Sequence, residues 1–84
     1  MITQEVILKN EEGLHARPAT EISKNASKYE CDIKFDVRGS QYNAKSVIHI
    51  MSAGIKNNTQ IKIICDGADE NQALTKMVEL LENL

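Results

Sequence analysis

The most regular alternation of apolar and polar residues runs over residues 31–37. Every second residue is apolar and the residues between are charged, which predicts a strand with one buried face. The apolar members are Cys31, Ile33, Phe35 and Val37. Less regular patterns predict strands over residues 2–9 and 60–65, and residues 38–40 predict a turn into a short edge strand around residues 41–43.

Apolar residues that recur at steps of three and four predict two long amphipathic helices. The first begins near Ala16 and reaches Tyr29, and the second occupies residues 70–84. Asp69, followed by Gln72, resembles a capping box before the second helix. The apolar positions are Ala16, Ala19, Ile22, Ala26 and Tyr29 in the first helix and Ala73, Leu74, Met77, Val78, Leu81 and Leu84 in the second.

A third, short helix is predicted over residues 47–51. Ser46 suits its N-cap because a serine hydroxyl accepts a hydrogen bond from a free amide of the first turn. Gly54 lies just beyond the end, where a glycine commonly reverses the chain. Because a short amphipathic helix buries one side, Val47 and Ile50 are expected in the core.

The order strand, helix, strand, strand, short helix, strand, helix, with one polar sheet face, indicates that the helices gather on the other face. The predicted fold is an α+β open-faced sandwich: a four-stranded antiparallel sheet with two long helices and one short helix on one face. The 84 residues contain no linker or low-complexity segment, so residues 1–84 are expected to form a single domain.

Composition and charge argue against several classes of function. The formal net charge is −2 and only Arg17 and Arg38 are arginines, which argues against nucleic acid as a direct partner. No apolar run approaches the roughly 20 residues of a membrane helix. Residues 1–10 also lack the pattern of a secretory signal. A cytoplasmic protein without membrane insertion is expected.

The two cysteines, Cys31 and Cys65, each lie in a predicted strand and form no C-x-x-C pair. Buried free thiols are therefore favoured over a disulfide. Together with His15 and His49, they show none of the close ligand spacing that zinc sites use. The sequence indicates no metal site and no cofactor.

Residues 13–19, Gly-Leu-His-Ala-Arg-Pro-Ala, join the first strand to the first helix. Gly13 suits unusual backbone angles, Leu14 suits an anchor in the core, and Pro18 is tolerated in the first helical turn. His15 is thereby expected at the mouth of the helix. Its surroundings there are free N–H donors and the positive end of the helix dipole.

This position favours a neutral imidazole at His15 that acts as a nucleophile towards a phosphoryl group. Arg17, two residues into the helix, is expected to be close enough to bind that group. The alternative from these residues alone is a histidine that merely caps the helix and an arginine that is only solvated.

Residues 13–19 resemble the active-site signature of HPr, the histidine-containing phosphocarrier of the bacterial phosphoenolpyruvate-dependent sugar phosphotransferase system. Residues 43–48, followed by residues 51–54, are similar to the regulatory serine region of that family. Residues 67–70 are similar to the family segment before the last helix. Three motifs in this order extend the resemblance over essentially the whole chain.

The resemblance implies that enzyme I, charged from phosphoenolpyruvate, phosphorylates His15 on Nδ1 and that the group passes to phosphoacceptor domains of sugar permeases. Arg17 would steady the phosphoryl group, and Pro18 would shape the helix start. Such a protein is a carrier rather than an enzyme, and a transient carrier is expected to be a monomer. The implied partner-docking residues are Thr20, Lys24, Ile48, His49 and Met51. For Ile48 and Met51 the alternative is a place in the core.

For Ser46 the resemblance implies a second role besides the N-cap. An ATP-dependent kinase would phosphorylate it, weaken acceptance at His15 and recruit a regulator of carbon catabolite transcription, since phosphate adds about −1.5 to −2 charges. The alternative function is a regulatory paralogue that acts through phosphorylated Ser46. The presence of His15 argues against it, because regulatory members tend to lack that histidine. A small-molecule-binding module of the same fold is a third, weaker alternative.

Glu12 and His49 depart from the family pattern, which has a small polar residue and a small residue, often glycine, at these positions. A carboxylate at Glu12 is expected to slow phosphorylation. His49 lies one helical turn from Ser46 and is a candidate to hydrogen-bond a phosphoserine. A solvent-facing ring without that role is the favoured alternative.

Overall fold

The computed structural model describes residues 1–84. The strands and helices predicted from the periodic patterns are all present, in the predicted order. The strands make one antiparallel sheet. The elements are β1 (Ile2–Ile7), α1 (Ala16–Ala26), β2 (Asp32–Val37), β3 (Ser40–Asn43), α2 (Val47–Ser52), β4 (Gln60–Asp66) and α3 (Glu70–Glu82). Their order across the sheet is β1-β4-β2-β3, so β3 is an edge strand as predicted.

One face of the sheet carries the apolar residues of the alternating pattern. Four side chains on this face are almost fully inaccessible to solvent: Ile33 and Phe35 of β2 and Ile61 and Ile63 of β4. Burial of each such side chain stabilises the folded state by roughly 1.5–3 kcal/mol. Helix α3 packs on β1 and β4, and α1 packs against α2 and α3. The helices cover this face and leave the other polar, which confirms the open-faced sandwich. No helix has the length and apolar character needed to cross a membrane.

Several element ends differ from the periodic patterns. Helix α1 ends at Ala26, because the amides of Lys28 and Tyr29 donate to carbonyls three residues earlier in the chain rather than four. Tyr29 therefore lies beyond the helix and packs half-buried against the core, whereas Ala16 is exposed. Strand β1 stops at Ile7, and Leu84 follows the end of α3 and is exposed.

Cys31 and Cys65 are buried free thiols, as predicted. Burial, reinforced by the nearby Asp69 carboxylate, raises the pKa of the Cys31 thiol to about 12. Burial also raises the pKa of the Cys65 thiol. Both cysteines are therefore protonated at neutral pH and pack as small apolar residues.

The predicted capping box of Asp69 and Gln72 is wrong. The Asp69 side chain makes no bond to the first turn of α3. Its carboxylate instead accepts hydrogen bonds from the amides of Glu30 and Cys31, each at 2.9 Å. The local bond comes from Glu70, whose carboxylate accepts from the Gly67 amide at 3.0 Å. Asp69 thus ties the start of α3 to the chain before β2.

Asp69→Asn is expected to destabilise the protein at neutral pH, because the amide keeps one acceptor oxygen and presents its NH₂ group to a backbone donor. The bond from the Glu30 amide, followed by that from Cys31, lowers the pKa of the Asp69 carboxyl. A lowered folded-state pKa gives stability above the unfolded value of about 3.9, and this stability is lost as pH falls through the folded value.

Urea unfolding at a series of pH values measures this contribution. The gap in unfolding free energy between wild type and Asp69→Asn should be largest near neutral pH and should shrink below about pH 4. Asp32→Asn is the matched control, because the exposed Asp32 carboxylate has no hydrogen-bond or ion-pair partner. An equal loss in the control, or a gap that does not change with pH, contradicts the role of Asp69.

Candidate functional site

The turn before α1 is held against the segment that precedes β4. Gly13 has φ of +70°, its amide donates to the Asn10 carbonyl at 2.9 Å, and the Leu14 amide donates to the Ile55 carbonyl at 3.0 Å. A Cβ on Gly13 would stand 2.5 Å from the Ile55 oxygen. The Leu14 side chain is buried. Both the angle and the available space require glycine here, and Leu14 anchors the turn as predicted.

His15 is the N-cap residue of α1 and has extended backbone angles. Its side chain is 44% exposed, makes no capping bond, and places Nε2 3.1 Å from Oε2 of Glu12. Helical hydrogen bonding begins where the Ala19 amide donates to the His15 carbonyl at 3.0 Å. The amides of Ala16 and Arg17 have no acceptor in the protein. The imidazole therefore lies beside free donors at the positive end of the helix.

Arg17 and His15 line the same shallow depression on the surface. The Arg17 side chain is exposed and makes no hydrogen bond or ion pair within the protein, while Pro18 is buried in the first helical turn. A free guanidinium, free amides and an exposed imidazole together suit the binding of an anion. The lining residues are Asn10, Glu12, His15, Arg17, Pro18, Glu21 and Leu84.

Ser46 caps α2 as predicted, because its Oγ accepts from the His49 amide at 3.3 Å. The preceding residue is tied to α1: the Ser23 hydroxyl donates to the Lys45 carbonyl at 2.8 Å. Ile50 is fully buried and Val47 packs against the core, as expected.

The remaining predicted docking residues lie on the surfaces of the two packed helices, α1 and α2. Thr20 and Lys24 of α1 are exposed. Ile48 and Met51 of α2 are 81% and 44% exposed, respectively. These apolar side chains are therefore on the surface rather than in the core.

His49 makes two contacts that the sequence analysis did not predict. Its side chain is exposed, but Nδ1 accepts a hydrogen bond from the Asn43 amide at 2.8 Å, and the ring packs edge-on to Tyr42 with centroids 5.6 Å apart. One ring nitrogen is thus bonded within the protein, and a hydrogen bond between the ring and a phosphate on Ser46 stays a prediction. It connects α2 to the edge strand β3.

The contact of Glu12 with His15 was not predicted from the sequence. The available signal was the spacing of an acid three residues before the histidine, in a loop that folds back on itself. No group of three or more His, Cys, Asp and Glu side chains is arranged to bind a metal ion.

Residues 2–83 match the family model PTS-HPr, described as "PTS HPr component phosphorylation site". HPr-C-His from Thermoanaerobacter tengcongensis is 36% identical, with a TM-score of 0.93 over 98% of this chain and 92% of that one. The Mycoplasma histidine-containing phosphocarrier protein is 35% identical, with a TM-score of 0.91 over 94% and 90%. Crh, the Bacillus subtilis catabolite repression protein described as a domain-swapped dimer, is 32% identical, with a TM-score of 0.80 over 98% and 94%.

Gly13→Ala is expected to destabilise the protein by about 1–3 kcal/mol or more, because an L residue is strained at this φ and its Cβ would overlap the Ile55 carbonyl. Gly39→Ala is the matched control: Gly39 has φ of +85°, but a Cβ there would meet nothing within 4 Å. Urea unfolding of both variants separates the backbone strain from the steric overlap. Equal losses would show that the Ile55 contact adds no constraint.

Proposed function

The chain belongs to the HPr family of the phosphotransferase system, and on this premise we propose that it carries a phosphoryl group on His15. Enzyme I supplies the group, ultimately from phosphoenolpyruvate, and phosphoacceptor domains of sugar permeases receive it. The observation that carries the proposal is the exposed His15 imidazole at the N-terminus of α1, in one depression with the unpaired Arg17.

The surroundings of His15 suit reversible phosphorylation. Attack by the Nδ1 lone pair places a dianion near the free amides of Ala16 and Arg17, where the helix dipole favours negative charge. The Arg17 guanidinium has no internal partner to give up before it binds the phosphoryl group. Pro18 fixes the backbone of the first turn without needing an acceptor. Partial exposure allows a partner histidine to approach and later to remove the group.

Docking is assigned to the surface that Thr20 and Lys24 of α1 form with Ile48, His49 and Met51 of α2. The exposed apolar pair Ile48 and Met51 provides a small patch, which suits brief encounters with successive partners. The proposed carrier acts as a cytoplasmic monomer and needs no cofactor, because the partner protein brings the phosphoryl group.

Incubation with enzyme I and phosphoenolpyruvate, followed by mass spectrometry at neutral and acid pH, tests this function. Wild type should gain an acid-labile phosphoryl adduct, and His15→Ala should gain none. His49→Ala should still gain it, which assigns the adduct to His15 because the chain has 2 histidines. Arg17→Gln should slow the reaction roughly tenfold or more, the worth of a hydrogen bond to a charged group. An adduct that persists in His15→Ala refutes the proposal.

The second candidate function is regulation through Ser46 alone. It is favoured by the position of Ser46 as the N-cap of α2 and by the likeness to Crh. A kinase and a catabolite transcription regulator would then be the partners. This candidate replaces the first if wild type stays unmodified with enzyme I while a kinase labels Ser46.

Ser46→Asp is expected to slow phosphoryl acceptance at His15, because it adds negative charge to the docking surface while it keeps a capping oxygen. Ser46→Asn is the matched control, since asparagine caps equally well without charge. The unfolding free energies of both variants should lie within about 0.5 kcal/mol of the wild-type value. The measurement is the initial rate of labelling by enzyme I. If the asparagine variant is slowed as much as the aspartate variant, charge is not the cause.

A further inference from the structure

The Glu12 carboxylate contacts the nitrogen of His15 that the proposed phosphoryl transfer does not use. Oε2 of Glu12 lies 3.1 Å from Nε2 of His15, and no other side chain or backbone group of the protein bonds to the ring. Nδ1, the proposed acceptor, points away from this contact, on the other side of the carbon that joins the two nitrogens.

The loop before α1 holds Glu12 in this position. The Asn10 amide donates to Oδ1 of Asn57 at 3.1 Å, and the Glu12 amide donates to Oδ1 of Asn10 at 3.0 Å. The Gly13 amide donates to the Asn10 carbonyl at 2.9 Å. Three hydrogen bonds thus fix the backbone on both sides of Glu12, so the carboxylate reaches the ring from a constrained turn rather than from a mobile one.

We propose that Glu12 is a positioning residue that keeps the proton of the neutral His15 ring on Nε2 and leaves the lone pair of Nδ1 exposed. An ionised carboxylate only accepts hydrogen bonds, so the nitrogen that faces it must carry the proton. A neutral imidazole has one such proton, and Nδ1 is then the free nucleophilic atom. The consequence for phosphoryl transfer rests on the proposed function, whereas the choice of tautomer does not.

The same contact acts after the transfer. The Nδ1 lone pair attacks the phosphorus of the phosphohistidine on enzyme I, the donor P–N bond breaks, and its electron pair returns to the donor imidazole. The proton on Nε2 stays in place, so the His15 ring gains positive charge while the phosphoryl oxygens remain negative. Glu12 faces the positively charged His15 ring, and Arg17 lines the same depression. The proposal therefore has the carboxylate favour the phosphorylated form at equilibrium, whereas the sequence analysis expected Glu12 to slow phosphorylation.

Nitrogen-15 NMR of the unphosphorylated protein tests the tautomer directly. At about two pH units above the ordinary histidine pKa of about 6.5, the chemical shift of each ring nitrogen is an average that reports how often that nitrogen carries the proton. Wild type should show Nε2 protonated and Nδ1 bare. Glu12→Gln should lower the ratio of this tautomer to the other roughly two- to fivefold, the range for an exposed contact of a charged group. His49 gives an internal reference, because its Nδ1 accepts from the Asn43 amide.

Glu11→Gln is the matched control variant. Glu11 is the adjacent exposed acid and has no hydrogen-bond or ion-pair partner, so its substitution removes the same charge from the same loop. It should leave the His15 tautomer ratio unchanged. The second measurement is the equilibrium constant for phosphoryl transfer from phosphorylated enzyme I to this protein. Glu12→Gln should lower this constant roughly two- to fivefold, and Glu11→Gln should lower it less.

The outcomes separate this inference from the proposed function. An unchanged tautomer ratio in Glu12→Gln, or an equal change in Glu11→Gln, overturns it. A higher phosphorylated fraction in Glu12→Gln also overturns it, because that result shows repulsion of the phosphate. If wild type is not phosphorylated at all, the proposed function fails, while the NMR comparison still decides whether Glu12 sets the tautomer.

Discussion

The backbone of Gly13 lies so close to the Ile55 carbonyl that no side chain fits between them, and the geometry of the whole site follows from this contact. Leu14 continues it by donating its amide to the same carbonyl and burying its side chain. His15 is then the first residue after the anchor that projects into solvent. The backbone that carries the exposed imidazole is thus anchored by the core beneath it, and the ring itself contacts only Glu12, so an accessible side chain is also well placed.

The periodic patterns predicted the sheet, the helices and their order, because burial of one face dictates those periods. They failed where long-range bonds compete with local rules. Asp69 has the spacing of a capping residue, yet its carboxylate bonds to amides 38 and 39 residues away. The motif predicted where His15 and Arg17 lie. It did not predict the contact of Glu12 with the ring, because that contact requires the loop closure made by Asn10.

Helix α2 depends on its neighbours, since six residues are too few for a stable isolated helix. Polar bonds at both ends hold it: Ser23 of α1 donates to the Lys45 carbonyl, and the Arg38 guanidinium donates to the Ala53 carbonyl at 2.7 Å. His49 adds a bond to β3 from the exposed side. The part of the proposed docking surface that α2 provides is therefore held in place by tertiary contacts. We expect a charge added at Ser46 to change the electrostatics of this surface while the N-cap is kept.

The exposure of His15 also limits how strongly its neighbours influence it. A fully buried ion pair requires costly desolvation, and loss of one partner costs several kcal/mol. At a surface, each charged contact contributes only about 0.2–1 kcal/mol. With His15 44% exposed and Glu12 73% exposed, we expect the carboxylate to change the proposed phosphoryl equilibrium only by a small factor. A carrier that must receive and release the same group within one cycle requires this weak coupling, because a strong stabilising contact would hinder the second transfer as much as it favoured the first.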